Sequence, residues 1–202
     1  NINQCKIVKN LGIINDRIFA FSREINQEQS EIIEKYPAKR KLNNFLTLKN
    51  SPILNKYKFN FYHDQLSLSY GNKLIISINS NNFDEYIILC KTLIELEKSL
   101  LGPIYLLRNN KYPFFDTTHS KKISNTISLV NLNSIKDFEN KINKKIEFER
   151  FRGNLYIDGL RPWQERNWIN KKILINGVIF NVTDNISRCS ATNLQPNTDN
   201  VT

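Results

Sequence analysis

The sequence predicts an α+β, β-rich fold, and three observations predict it. Residues 57–78 alternate apolar and polar side chains in three short runs, the period of half-buried strands. From Phe83 onward the apolar spacing changes to that of an amphipathic helix. Near the other end, Asn176-Gly177 sits between two β-branched and aromatic runs, a strong tight-hairpin signal.

In chain order, Asp16 to Ser22 reads as a strand and Glu31 to Tyr36 as a weak helical turn. Tyr57–Tyr62, Gln65–Tyr70 and Lys73–Ile78 then form a meander, with His63-Asp64 and Gly71-Asn72 as its turns. The long helix runs from Phe83 to about Leu100 and is expected to bury Phe83, Tyr86, Ile87, Cys90, Leu93 and Ile94. Asn82 followed by Glu85 gives a capping-box-like start, and Gly102-Pro103 marks the stop. Ile104–Leu107 reads as a strand and Arg108–Pro113 as a polar connector, where the domain boundary is placed. Ile127–Leu132 is a short apolar strand, followed by a helix from Ile135 to Asn143 capped by Ser134. Asn154–Asp158 is a strand, and Lys171–Ile175 with Val178–Thr183 makes the Asn-Gly hairpin. The C-terminal half reads as a partly assembled barrel.

Composition bounds the function. The 202 residues are 40% hydrophobic with a mean hydropathy of −0.45, values of an ordinary globular chain long enough for one large or two small domains. No apolar run approaches the roughly 20 residues of a membrane span, and no signal-peptide pattern opens the chain. Net charge is +10, which raises nucleic acid as a partner. The lysines are scattered, however, and clusters such as Lys39-Arg40-Lys41 and Lys171-Lys172 are short, which argues against that role. There is no methionine, and the chain opens at Asn1 inside what reads as a strand, so the natural start is expected to lie upstream.

The three cysteines, Cys5, Cys90 and Cys189, are odd in number and unrelated in spacing. They suit a reducing compartment, and a cytoplasmic location is expected. His63 and His119 lack zinc-site spacing, and no phosphate-binding glycine loop, dinucleotide fingerprint or Gly-x-Ser-x-Gly elbow occurs. Cys90 falls on the apolar helix face and is expected in the core. Cys189 differs, because Arg188 precedes it directly and a guanidinium favours the thiolate, a soft metal ligand. The competing reading of Cys189 is a buried small apolar side chain. His119 could shuttle protons near neutrality, against an exposed loop position. Trp163 and Trp168 read as core or lid aromatics.

Two phrases, Arg150-Phe151-Arg152-Gly153-Asn154 and Arg188-Cys189 with Thr192 and Pro196-Asn197-Thr198, resemble the MOSC family, named for the C-terminal part of molybdenum cofactor sulfurase. Leu11-Gly12 through Asp16-Arg17, Phe45-Leu46-Thr47 with Pro52 and Leu54, Ser128-Leu129-Val130-Asn131, and Trp168 extend the likeness over nearly the whole chain. The resemblance implies a β-barrel-like N-terminal domain over residues 1–108, its start missing. It implies an incomplete MOSC β-barrel over 109–202, its C-terminal end missing. A family phrase of Pro-x-Lys-Ser would precede Asn1, and a helix with a final strand pair would follow Thr202. On that basis the chain is a fragment of a longer protein, with an unpaired strand edge expected near residues 178–195.

By the same resemblance Cys189 is the molybdenum ligand, and Arg17, Asp116, Arg152, Asn154, Ser187 and Arg188 line the molybdopterin pocket. Arginine offers a planar fork to phosphate, and asparagine a donor and an acceptor to a pterin edge. These residues are expected to converge on one concave pocket. For Arg17 and Arg152 the alternative is a surface ion pair, and for Asp116 an Asp-Thr-Thr turn. The implied activity is a molybdenum-dependent oxidoreductase that removes oxygen from N-hydroxylated small molecules, as in the mitochondrial amidoxime-reducing branch. Electrons would come from a partner heme or iron–sulfur protein, since no electron-carrier motif occurs here. An alternative implied by the family is a sulfur carrier with a Cys189 persulfide. It would be supplied by a partner cysteine desulfurase, and pyridoxal phosphate would enter only through such a partner. A third reading, a basic non-enzymatic binding module, rests on the charge alone.

Overall fold

The computed structural model describes residues 6–8, 12–114 and 126–200. Cys5, Asp116 and His119 lie outside the described residues. The chain divides into two compact units, the first built from residues 1–126 with 197–200 and the second from 127–196 with 201–202. The class is α+β, as the sequence predicts. Among the described residues the sheets hold two or three strands each, and none closes into a barrel.

The first unit opens with a short antiparallel pair, β1 (Ile7–Val8) and β2 (Gly12–Ile13). The strand read over Asp16–Ser22 is shorter: β3 covers Phe19–Ser22. Asn15 and Arg17 adopt φ of 65° and 55°, so the preceding residues turn rather than extend. Helix α1 spans Gln27–Lys35, longer than the turn read over 31–36. Asn26 caps it by accepting from the Gln29 amide at 2.9 Å. Its buried Ser30 hydroxyl meets the Ser22 hydroxyl of β3 at 2.6 Å.

The meander is β4 (Tyr57–Tyr62), β5 (Gln65–Tyr70) and β6 (Lys73–Asn79), antiparallel in that order. Its first turn has His63 and Asp64 both at positive φ, the twist that two-residue hairpins need. Alternation sends Phe59 and Phe61 inward beside Leu66 and Leu68 of β5, while Lys58 and Asn60 face out. Phe59 and Phe61 meet Phe21 and Phe19 edge to face, at 5.4 and 5.0 Å between ring centres. β3 pairs antiparallel with β7 (Tyr105–Arg108).

Helix α2 covers Phe83–Leu96 and stops short of Leu100. Glu97 ends it: the carboxylate is drawn to the Lys56 ammonium at 2.6 Å and to the Tyr57 hydroxyl. Its start is capped by Asn82, which accepts from the Asp84 amide at 3.1 Å. The buried face is Tyr86, Leu89, Cys90 and Leu93, rotated from the expected stripe, and Phe83 and Ile87 are exposed. Cys90 is in the core as expected, where burial pushes its thiol up to about 12.

The second unit begins with β8 (Leu129–Asn131), α3 (Leu132–Ile142) and β9 (Leu155–Ile157), with β8 and β9 parallel. Parallel strands need a crossover, and α3 supplies it. The cap is Asn131 rather than Ser134; its side chain accepts from the Asn133 amide at 3.0 Å and donates to Glu165 at 2.8 Å. Ser134 is buried inside the helix, donating to Glu165 at 2.7 Å and accepting from the Trp163 amide. The last strands, β10 (Lys172–Ile175) and β11 (Val178–Asn181), form the expected hairpin, with Asn176 and Gly177 at φ of 46° and 79°. Among the described residues β11 pairs with β10 alone. No helix among the described residues is long and apolar enough to cross a membrane.

The rotated face of α2 yields a direct check. Leu89 is fully buried, so Leu89→Ala should cost about 3 kcal/mol through lost transfer energy and the cavity left behind. Ile87→Ala, on the exposed side, should stay within about 0.5 kcal/mol. Urea denaturation of both variants measures the difference.

Candidate functional site

The site is built on two short 3₁₀ turns of the second unit, Phe148–Phe151 and Ser190–Asn193. Arg150 joins them. It is buried, its Nε donates to the Glu147 carboxylate at 2.7 Å, and its Nη1 donates to the Asn193 carbonyl at 3.1 Å. The Arg150 contact holds the Glu147 carboxyl below its ordinary pKa, aided by a backbone amide and by Gln195. Sequence reading passed over Arg150, although it stands at the head of the Arg-Phe-Arg-Gly-Asn phrase. Charge suggests a surface side chain, and only the burial of the turn shows otherwise.

Arg152 ends the first turn in the left-handed region, φ 47°, its amide donating to the Glu149 carbonyl at 3.0 Å. That conformation reverses the chain, so that Gly153 passes against β8. A Cβ at Gly153 would lie 2.6 Å from Val130 Cγ2, closer than packed carbons approach. The glycine is thus required by a close approach. Asn154 then locks the start of β9. Its side-chain oxygen accepts from the Ser128 amide and hydroxyl at 3.0 and 2.9 Å, and its own amide donates back to the Ser128 hydroxyl at 2.9 Å. The Asn154 carbonyl expected on a pterin edge is therefore engaged in holding β9 to β8.

On the second turn, Cys189 is exposed and occupies the cap position, its carbonyl accepting from the Thr192 amide and hydroxyl at 3.1 and 3.0 Å. This disposes of the reading of Cys189 as a buried apolar side chain. Arg188 donates to the Phe151 carbonyl at 2.9 Å and lies over the Phe151 ring. Both Arg152 and Arg188 have guanidinium pKa values lowered by partial removal from water, and negative charge on Cys189 or Tyr156 would offset this in each. Two guanidinium groups, an exposed thiol and a phenol thus share one neighbourhood. Ser187 is exposed, outside any regular element, immediately before Arg188.

Arg17 belongs to the first unit, where its Nη1 pairs with Asp16 at 2.7 Å and its carbonyl accepts from the Phe114 amide. That ion pair is the alternative the sequence leaves open for Arg17. Asp116 and His119 lie outside the described residues. Trp163 donates from its indole to Asp137 at 2.5 Å under the Arg166 guanidinium, and so packs against α3. An open depression of about 200 Å³, lined in part by Glu24, Ile33, Lys39 and Asn44, lies in the first unit and includes none of the expected site residues. Among the described residues no group of three or more His, Cys, Asp or Glu could hold a metal ion. A metal at Cys189 would need most of its ligands from elsewhere.

Two outcomes follow from this geometry. Gly153→Ala should destabilise the second unit, and Val130→Ala in the same chain should recover part of the loss by removing the clashing methyl group. Thermal melts of the single and double variants give the coupling. Glu147 has a lowered folded-state pKa, so its contribution to stability is present above about pH 4.5 and is lost as acidification titrates it. Glu147→Gln should therefore lower stability at neutral pH and flatten the acid side of the stability profile, measured by denaturation between pH 3 and 7.

Comparison with curated proteins yields no match. Comparison with protein families does: residues 116–201 match the MOSC domain, a span that takes in both 3₁₀ turns, β8, β9 and the hairpin. The resemblance carried by the Arg-Phe-Arg-Gly-Asn and Arg-Cys phrases is thereby supported from the whole segment: residues 116–201 of the chain are similar to the MOSC domain.

Proposed function

We propose that this MOSC domain binds the molybdenum cofactor through Cys189 and works as an oxidoreductase on N-hydroxylated or related small molecules. The observation that carries the reading is the placement of exposed Cys189 beside the Arg152 and Arg188 guanidinium groups, inside a segment of a family associated with molybdenum-cofactor chemistry. The donor set fits the group. A single accessible thiol matches a metal whose other ligands are dithiolene sulfurs of the cofactor, and two arginine forks match its phosphate.

When bound, the cofactor supplies the oxygen-atom and electron chemistry. The chain supplies the rest. Cys189 supplies the sulfur ligand, with the Arg152 and Arg188 guanidinium groups beside it. Arg152 and Arg188 hold the phosphate, with Ser187 bordering it through its backbone. Asn154 fixes the turn that aims Arg152. An electron-donor protein, heme or iron–sulfur, completes the cycle. Exposure of Cys189 also suits a second reading, a persulfide carrier fed by a cysteine desulfurase. Molybdenum with pterin fluorescence in the purified protein supports the first reading, and a metal-free persulfide supports the second.

Cys189→Ser tests the ligand assignment. A serine oxygen is harder than a thiolate and loses its proton far less readily. Reduction of an N-hydroxylated substrate by the full-length natural protein should fall by orders of magnitude, with folding intact and the arginine clamps still able to bind cofactor. Unchanged turnover at equal cofactor occupancy would remove Cys189 from the metal.

A further inference from the structure

Tyr156 stands on β9 with its ring edge-on to Phe148, 5.0 Å between centres, and it is half-buried. Its hydroxyl oxygen accepts from the Gly153 amide at 2.8 Å, which fixes that oxygen beside the Arg152-Gly153 turn. The approach is close: a Cβ at 153 would come within 3.3 Å of the Tyr156 ring carbon that bears the hydroxyl. The amide occupies one lone pair and leaves the O–H proton to point elsewhere. Among the described residues no acceptor receives that proton. The ring is only half-buried, so that proton is open to a ligand. Arg188, bound to the Phe151 carbonyl, and Arg152, next in the chain, flank the same turn. Two guanidinium groups beside an O–H donor attract an anionic acceptor.

We propose that the Tyr156 hydroxyl is the third donor of an oxyanion site whose other donors are Arg152 and Arg188, giving its proton to an oxygen of a bound phosphate group. The inference rests on the reading of the two arginines as phosphate clamps and adds a residue that this reading does not assign. The division of labour is chemical. The guanidinium groups neutralise charge through planar forks, whereas the phenol supplies a short neutral O–H donor from a rigid ring. A tetrahedral phosphate monoester has enough oxygens for all three, and a planar carboxylate is a poorer match.

The test is a calorimetric titration of the 202-residue chain with inorganic phosphate, comparing the parent with Tyr156→Phe and Arg188→Ala. Tyr156→Phe keeps the ring contact with Phe148 and should weaken phosphate binding about tenfold, the cost of one hydrogen bond to a charged group. In the parent protein, the ring ¹³Cζ resonance of Tyr156, assigned through bonds, should move on phosphate addition, a response that a purely structural tyrosine would not give. Parent-like binding by Tyr156→Phe together with lost binding by Arg188→Ala would overturn the role of Tyr156 and leave the arginine reading standing. Parent-like binding by both variants would overturn both. Should Tyr156→Phe melt early, the resonance in the parent decides: a ¹³Cζ signal indifferent to saturating phosphate overturns the proposal.

Discussion

The candidate site depends on one buried cation. Arg150 spans the turn that presents Arg152 and the turn that presents Cys189, with Glu147 on one side of its guanidinium and the Asn193 carbonyl on the other. A guanidinium taken out of water is costly unless its donors are met, and here an anion and a carbonyl meet them in different directions. The two segments are thus fixed to each other by a buried side chain. Gly153 and Asn154 extend the arrangement to β8 by close approach and by side-chain hydrogen bonds to Ser128, so the arginine turn is held at both ends.

What the sequence reveals tracks the distance over which the deciding interaction acts. The meander 57–79 and the Asn176-Gly177 hairpin are legible almost to the residue, because alternation and turn dipeptides are local signals. Helix α1 is only half legible. Its length depends on the Asn26 cap and on a hydroxyl pair between Ser22 and Ser30, neither of which produces an apolar stripe. In α2 the apolar residues cover more than half the circumference, so the sequence allows two neighbouring faces, and packing selects the one with Leu89. Ser134 fits a cap by type, yet Glu165, far along the chain, draws it inside.

The site divides along the same line. Cys189 and the two arginines stand out as residue types in distinctive phrases, and the structure gathers Arg152, Arg188 and Cys189 within one unit. The service of Asn154 as a strand lock and the placement of Tyr156 depend on the parallel pairing of β8 with β9, which no short stretch of sequence encodes. The electrostatic character of the neighbourhood is likewise collective. Each arginine alone would read as a surface charge, and together they form a basic lining around a thiol.

The contacts of Arg150 and Arg188 also close the chain upon itself, since everything between Phe151 and Arg188 leaves and returns at the same place. Such a closed excursion tolerates changes of length far from its base. Its entropy cost grows only with the logarithm of the number of residues, about 0.6 kcal/mol for each doubling. The tip of the β10–β11 hairpin can therefore be extended, shortened or remodelled at little cost, while the registration of thiol and guanidinium groups stays where the base sets it. The architecture separates a segment free to diversify from one that must not move.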